Sequence, residues 1–244
     1  MALASSSNTP GPRAWARIAG VFWLISIMGG LFAEAFVRSK LIADDPATTM
    51  QNILANEAIY RLGSVAMFVG TATYLALSAI MYRLLAPVNR TASSIAAFFS
   101  IAGCTIWIQE LVHSAAPFAF AGAVGPSASA EQMQVLAFAL LNLHSEALLL
   151  GMMCFGVHCL LMGYLIARST FLPKLLGFLL LVGGLGYLTA GIAHMLSPPI
   201  AALLRRYLFL PGEAAEMLTG LWLAVVGLNA PKWKEQASSA ERMV

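Results

Sequence analysis

Residues 175–196 read LLGFLLLVGGLGYLTAGIAHML, twenty-two residues without one Asp, Glu, Lys or Arg. As a helix rising about 1.5 Å per residue, the run is about 33 Å long, which matches the hydrocarbon core of a bilayer. A helix that is apolar on every side cannot face water, so it needs lipid or a large core around it. The run predicts a membrane-spanning helix that ends at Pro198-Pro199.

The same pattern recurs outward in both directions. Apolar runs cover residues 18–33, continuing through Phe36 and Val37, then 62–85, 91–113, 130–167 and 207–228. With the first-quoted run they predict six transmembrane helices in one all-α bundle. Hydrophobic residues make up 59% of the chain and charged residues 10%. Soluble domains carry about 25% charged residues, so this surface is built for an apolar solvent. The net charge is +3, but the basic residues are dispersed between apolar runs. No basic face for nucleic acid is present, and the first expected partners are membrane lipids.

The predicted organisation has three parts: a disordered N-terminal tail (1–12), a six-helix domain (13–229) and a polar C-terminal tail (230–244). Ala33-Glu34-Ala35 resembles a signal-peptidase site, but the apolar run continues past it, so a retained first helix is expected. Asp45-Pro46 reads as an N-cap and first helical residue. Met50, Ile53 and Leu54 then recur at helical spacing, predicting a short amphipathic helix lying on the outer membrane surface. Ser129 with Gln132 reads as a capping box. The run from Ala130 is too long for one span, so that helix is expected to protrude or to bend near Asn142–Ser145.

Orientation follows from the basic residues. Of the fourteen Lys and Arg, nine fall on the side holding both termini and five on the other. The richer side is expected to be cytoplasmic, in a cell (inner) membrane crossed several times.

Ionisable groups within membrane helices are costly and tend to be functional. Counted from the inner boundary, Glu34, Glu110, His144, His194 and Glu213 fall about 24–33 Å deep, Glu216 about 20 Å and His158 about 15 Å. Spacings of seven align His144, Gly151 and His158 on one stripe, and Glu213, Gly220 and Gly227 on another. Small residues let membrane helices approach, so these stripes are expected to point into the bundle, with Gly151 a close contact. Glu34 and Arg38 are four apart in the favourable order for a helical ion pair. The candidate ligand- or proton-binding residues are Glu34, Arg38, His144, His158 and Glu216, and the secondary candidates are Glu110, His113, His194 and Glu213.

Glu110 and His113 form a Glu-x-x-His pair on one helix. Carboxylate-bridged di-metal bundles use two such pairs plus further Glu. With one pair, no metal and no cofactor is assigned. Cys104, Cys154 and Cys159 read as small core residues. No phosphate-binding glycine loop, nucleophile elbow, His-Glu-x-x-His or Cys-x-x-Cys occurs, which argues against an enzyme.

Residues 31–38 (LFAEAFVR), 87–90 (PVNR), Leu143-His144, and above all 155–166 (FGVHCLLMGYLI) with Arg168-Ser169-x-Phe171-Leu172-Pro173 resemble the bacterial domain-of-unknown-function 4386 family. The resemblance runs from about Arg17 to Gly227. It implies a six-helix membrane protein without an assigned activity, whose recurrent polar positions fall on Glu34, Arg38, His144, His158 and Glu216. Glu110, His113, His194 and Glu213 depart from that pattern. The sequence predicts one polar pocket in the outer half of the bundle, holding Glu34, His144 and Glu216 with Arg38 at its rim. Its expected occupant is a small ligand, a lipid headgroup or a proton. A membrane-embedded enzyme and a purely structural membrane protein are the competing expectations.

Overall fold

The computed structural model describes residues 10–123, 125 and 129–242. The described chain is helical, without strands among the described residues. Helix α1 (Pro12–Gly30) runs without a break into a π-helical segment (Leu31–Arg38) and a last turn, α2 (Ser39–Leu41). Then follow α3 (Pro46–Ala55), α4 (Glu57–Leu85), α5 (Arg90–Ser114), α6 (Ala116–Ala121), α7 (Ala130–Arg168), α8 (Lys174–Leu196), α9 (Pro198–Val225) and α10 (Ala230–Glu241). Six helical stretches are long and apolar enough to cross a membrane: Pro12–Leu41, Glu57–Leu85, Arg90–Ala121, Ala130–Arg168, Lys174–Leu196 and Arg206–Val225.

These spans pack in chain order, α1 on α4, α4 on α5, α5 on α7, α7 on α8 and α8 on α9, and the contact of α9 with α1 closes the ring. Phe98, Phe178, Val182, Leu185 and Val225 point outward and are more than half exposed, as expected of residues facing lipid. Inside the ring sits one apolar core that includes Trp23, Tyr74, Cys104, Phe155, Leu180, Tyr187 and Leu223.

Glycine sets how closely the helices approach. A Cβ on Gly20 would stand 2.7 Å from the carbonyl oxygen of Gly220, so α1 and α9 touch backbone to backbone. Gly156 and Gly163 of α7 face Gly184 and Gly177 of α8 in the same way. Gly151 is the expected close contact: a Cβ there would overlap the Trp107 indole of α5.

The two ends of the ring differ. At the end carrying the termini, Arg13 Nε donates to the Val226 carbonyl at 3.2 Å and Arg17 Nη2 to the Val225 carbonyl at 3.0 Å. These arginines satisfy the last carbonyls of α9, and Gly227 at φ 78° turns the chain away. At the distal end, α3 and α6 cover the bundle. Asp45 caps α3 by accepting from Thr48 N–H at 2.8 Å, which holds its carboxyl below the usual carboxylate range. Ser129 and Gln132 form the expected capping box at the start of α7.

Three details differ from expectation, and a fourth, the course of α7, follows one of its two expected alternatives. The apolar face of α3 lies on protein: Met50 packs with Ala116 and Ala137, and Ile53 with Val37, Tyr60 and Leu141, while Leu54 stays exposed. Helix α7 runs unbroken through Asn142–Ser145, because its first turns pack against α3 and α6. Pro198-Pro199 opens α9 as much as it ends α8, since proline fits the first helical turn. Pro12 already belongs to α1, and the C-terminal stretch forms α10. Residues 1–9 of the expected N-terminal tail lie outside the described residues.

Candidate functional site

At the distal end, side chains from α1's π segment, α5 and α7 meet. Glu34 Oε2 pairs with Arg38 Nε at 3.3 Å, and Glu34 Oε1 with His144 Nε2 at 3.2 Å. On the other side of the same imidazole, His144 Nδ1 stands 3.6 Å from Glu110 Oε2, which also meets His113 Nδ1 at 3.1 Å. His144 is thus held between two carboxylates from different helices. Arg38 Nη2 donates to the Leu141 carbonyl at 3.3 Å. Its guanidinium turns inward and does not reach for the membrane interface.

The π segment itself carries both Glu34 and Arg38. A wider turn shifts residues out of the ordinary helical register, and such segments are frequent at functional sites. Glu34 and Arg38 remain one turn apart and both face α7.

Three buried polar atoms around this cluster lack a hydrogen-bond partner: Arg38 Nη1, Tyr60 Oη and His144 Nδ1. Buried polar groups are normally paired. These three residues line a cavity of about 20 Å³ together with Glu34, Ser64 and Ser114. That space admits about one water molecule.

Glu216 is elsewhere, which corrects the expectation of a single pocket. Its Oε2 accepts from Trp23 Nε1 at 3.0 Å and from Tyr74 Oη–H at 3.4 Å, and its Oε1 from Tyr187 Oη–H at 3.0 Å. Trp23 lies eleven residues before Glu34 on one helical rod, so the two sites are about 16 Å apart along it. Gly212 sharpens this second site: the Tyr187 ring lies on its backbone, where a Cβ would collide with the ring.

The remaining candidates scatter. His158 is buried at mid-bundle, with Nδ1–H donating to the Ala96 carbonyl at 2.8 Å. His194 pairs with Glu146 of α7 at 2.7 Å on the exposed side and joins neither site. Glu213 is exposed, and Gly227 lies beyond the end of α9, so the predicted inward stripe through Glu213, Gly220 and Gly227 is not formed. Among the described residues no group of three or more His, Cys, Asp and Glu is arranged to hold a metal ion. Sequence reasoning missed the neutral donors Trp23, Tyr74 and Tyr187 and the unpaired Tyr60. The available signal was the cost of an intramembrane carboxylate, which must find donors on neighbouring helices.

Six apolar spans closed into a ring around buried carboxylates and imidazoles define a polytopic all-α membrane protein. The chain belongs to the family described as Domain of unknown function (DUF4386), whose match covers residues 18–227. No curated protein and no solved structure matches it.

Proposed function

We propose that this membrane protein binds a proton at the Glu34–His144–Glu110 cluster, on the outer side of a bacterial inner membrane. The position of His144 between two carboxylates carries the reading. A neutral imidazole has one N–H, so one carboxylate would face a nitrogen lone pair. An imidazolium turns an N–H toward each, Nε2 within hydrogen-bond range of Glu34 and Nδ1 in ion-pair range of Glu110 at 3.6 Å. Charge counting agrees: Glu34 and Glu110 against Arg38 leave the cluster at −1 while both imidazoles are neutral, and one proton neutralises it. An uncompensated charge is expensive inside a bilayer. The cavity of about 20 Å³ favours a proton, with or without one water, over a headgroup or an organic substrate. Lipids surround the spans, and nucleic acid has no part in this reading.

The sign of the pH dependence follows. If the folded cluster holds a proton that the unfolded chain releases, the stability this proton contributes is present at low pH and fades as pH rises. Thermal or denaturant unfolding in detergent from about pH 5 to about pH 8, where imidazole protonation changes, measures this. Wild type should lose stability with rising pH, by at most about 1.4 kcal/mol per pH unit for one proton. In Glu110→Gln the cluster is neutral without the proton, so the slope should flatten. An unchanged slope in Glu110→Gln would remove the proposal.

The outward placement of the cluster rests on the nine-to-five division of Lys and Arg. Cysteines introduced at Ser238 and at Asp44, in a background lacking the three native ones, test it with an impermeant thiol reagent on intact cells. Position 44 should label and position 238 should label only after lysis. The reverse pattern would invert the topology and place the cluster on the cytoplasmic side.

A further inference from the structure

We propose that the groove between α1 and α4 binds one acyl chain of an anionic glycerophospholipid, with Lys40 holding the phosphate. The groove measures about 530 Å³ and lies on the outside of the ring, between two membrane spans. Every residue lining it is apolar, with Val21, Met28 and Phe32 of the first span and Leu62, Val65 and Val69 of α4 forming its walls. Met28, Leu62 and Val65 are more than half exposed, so the groove opens toward lipid. Its floor is the seam between the two helices. A Cβ on Gly29 would stand 2.6 Å from the Ala66 carbonyl oxygen, so the backbones touch there and no side chain fills the trough. From Val21 to Phe32 the groove runs about 16 Å along the first span, half of a hydrocarbon core about 30 Å thick. That is the depth of one leaflet, the distal one, and so the reach of one lipid tail.

The distal end of the groove carries the charge that selects the lipid. Phe32 stacks on Phe36 with ring centroids 5.5 Å apart, and Lys40 Nζ lies 3.9 Å from the centroid of the Phe36 ring. The lysine thus turns back one helical turn and brings its ammonium level with Phe36, about 6 Å beyond Phe32 along the rod. The headgroup layer of a bilayer is about 5–8 Å thick on each side of the hydrocarbon core. A tail in the groove and a phosphate at Lys40 therefore fit one molecule. Two other cations at this end are engaged, Arg38 with Glu34 and Arg61 with Glu57. Lys40 is exposed, and among the described residues it meets the Phe36 ring and pairs with no carboxylate. A ring face is a weak partner for an exposed ammonium, which keeps donors for an anion. A phosphodiester supplies the missing negative charge. A zwitterionic headgroup would bring its own cation to compete with Lys40.

Native mass spectrometry of the full chain in detergent, with equal amounts of phosphatidylglycerol and phosphatidylcholine of identical chains, tests the site. Wild type should retain one phosphatidylglycerol in preference to phosphatidylcholine by about fivefold, the worth of one basic residue beside an anionic lipid. Lys40→Gln should bring the two lipids to parity. Val65→Trp fills the groove from an exposed wall position and should lower retention of both. Glycerol phosphate, which carries the charge without a tail, should not displace the bound lipid. Glu110→Gln should retain lipid as wild type does, which separates this site from the distal proton cluster. Equal retention of the two lipids by wild type, unchanged selectivity in Lys40→Gln, or full retention in folded Val65→Trp would overturn the assignment. Displacement by glycerol phosphate would overturn it as well, since the charge alone would then suffice.

Discussion

His144→Leu should destabilise the protein by about 3 kcal/mol, the upper end of the cost of leaving buried hydrogen-bonding groups unsatisfied. The substitution fills a similar volume, so the loss comes from electrostatics and not from a void. It strands Glu34 on Arg38 alone and leaves Glu110 with His113. Its side chain is 3% exposed, so water does not replace the missing imidazole. Adding Glu110→Gln to His144→Leu should recover part of the loss, because the second carboxylate no longer needs a proton. A double-mutant cycle by denaturant unfolding in micelles measures the coupling. Additive losses would mean that His144 and Glu110 do not share a proton.

Gly20→Ala should be as damaging, at about 3 kcal/mol, the upper part of the overpacking range. The added methyl would meet the Gly220 carbonyl oxygen and the Leu223 carbonyl carbon, both at 2.7 Å, and backbone cannot swing aside as a side chain can. The seam that closes the ring would open, and with it the alignment of Trp23 with Glu216. Gly30→Ala is the control, since nothing lies within 4 Å of a Cβ there. It should be neutral or stabilising by up to about 1 kcal/mol, as alanine is the better helix former. Equal melting temperatures for the two variants in detergent would show that the α1–α9 seam is looser than its geometry.

The spans were legible because each is an apolar run of bilayer length, a signal that needs no tertiary information. Glu34–Arg38 was legible too, since four residues make one helical turn. The pairing of Glu34 with His144 was not, because depth along a helix says nothing of its rotation toward a neighbour. Grouping Glu216 with them failed for the related reason that a depth count made span by span does not align the spans. The stripe through Glu213, Gly220 and Gly227 failed on helix geometry. Seven residues fall about 20° short of two full turns, and Gly227 has already left the helix. Trp23, Tyr74 and Tyr187 read as bulky apolar residues until a carboxylate is placed among them. Their hydroxyl and indole groups are then what makes Glu216 tolerable.

The proton on His144 can be observed directly. The chain has four histidines, so 15N-histidine labelling with solid-state NMR in lipid, assigned through His144→Asn, resolves each ring. The expected result is an imidazolium at His144 on the acid side, with both nitrogens protonated, that loses one proton as pH rises and does so differently in Glu110→Gln. A His144 ring that stays a single neutral tautomer across the whole pH range of the folded protein would contradict proton binding at this cluster.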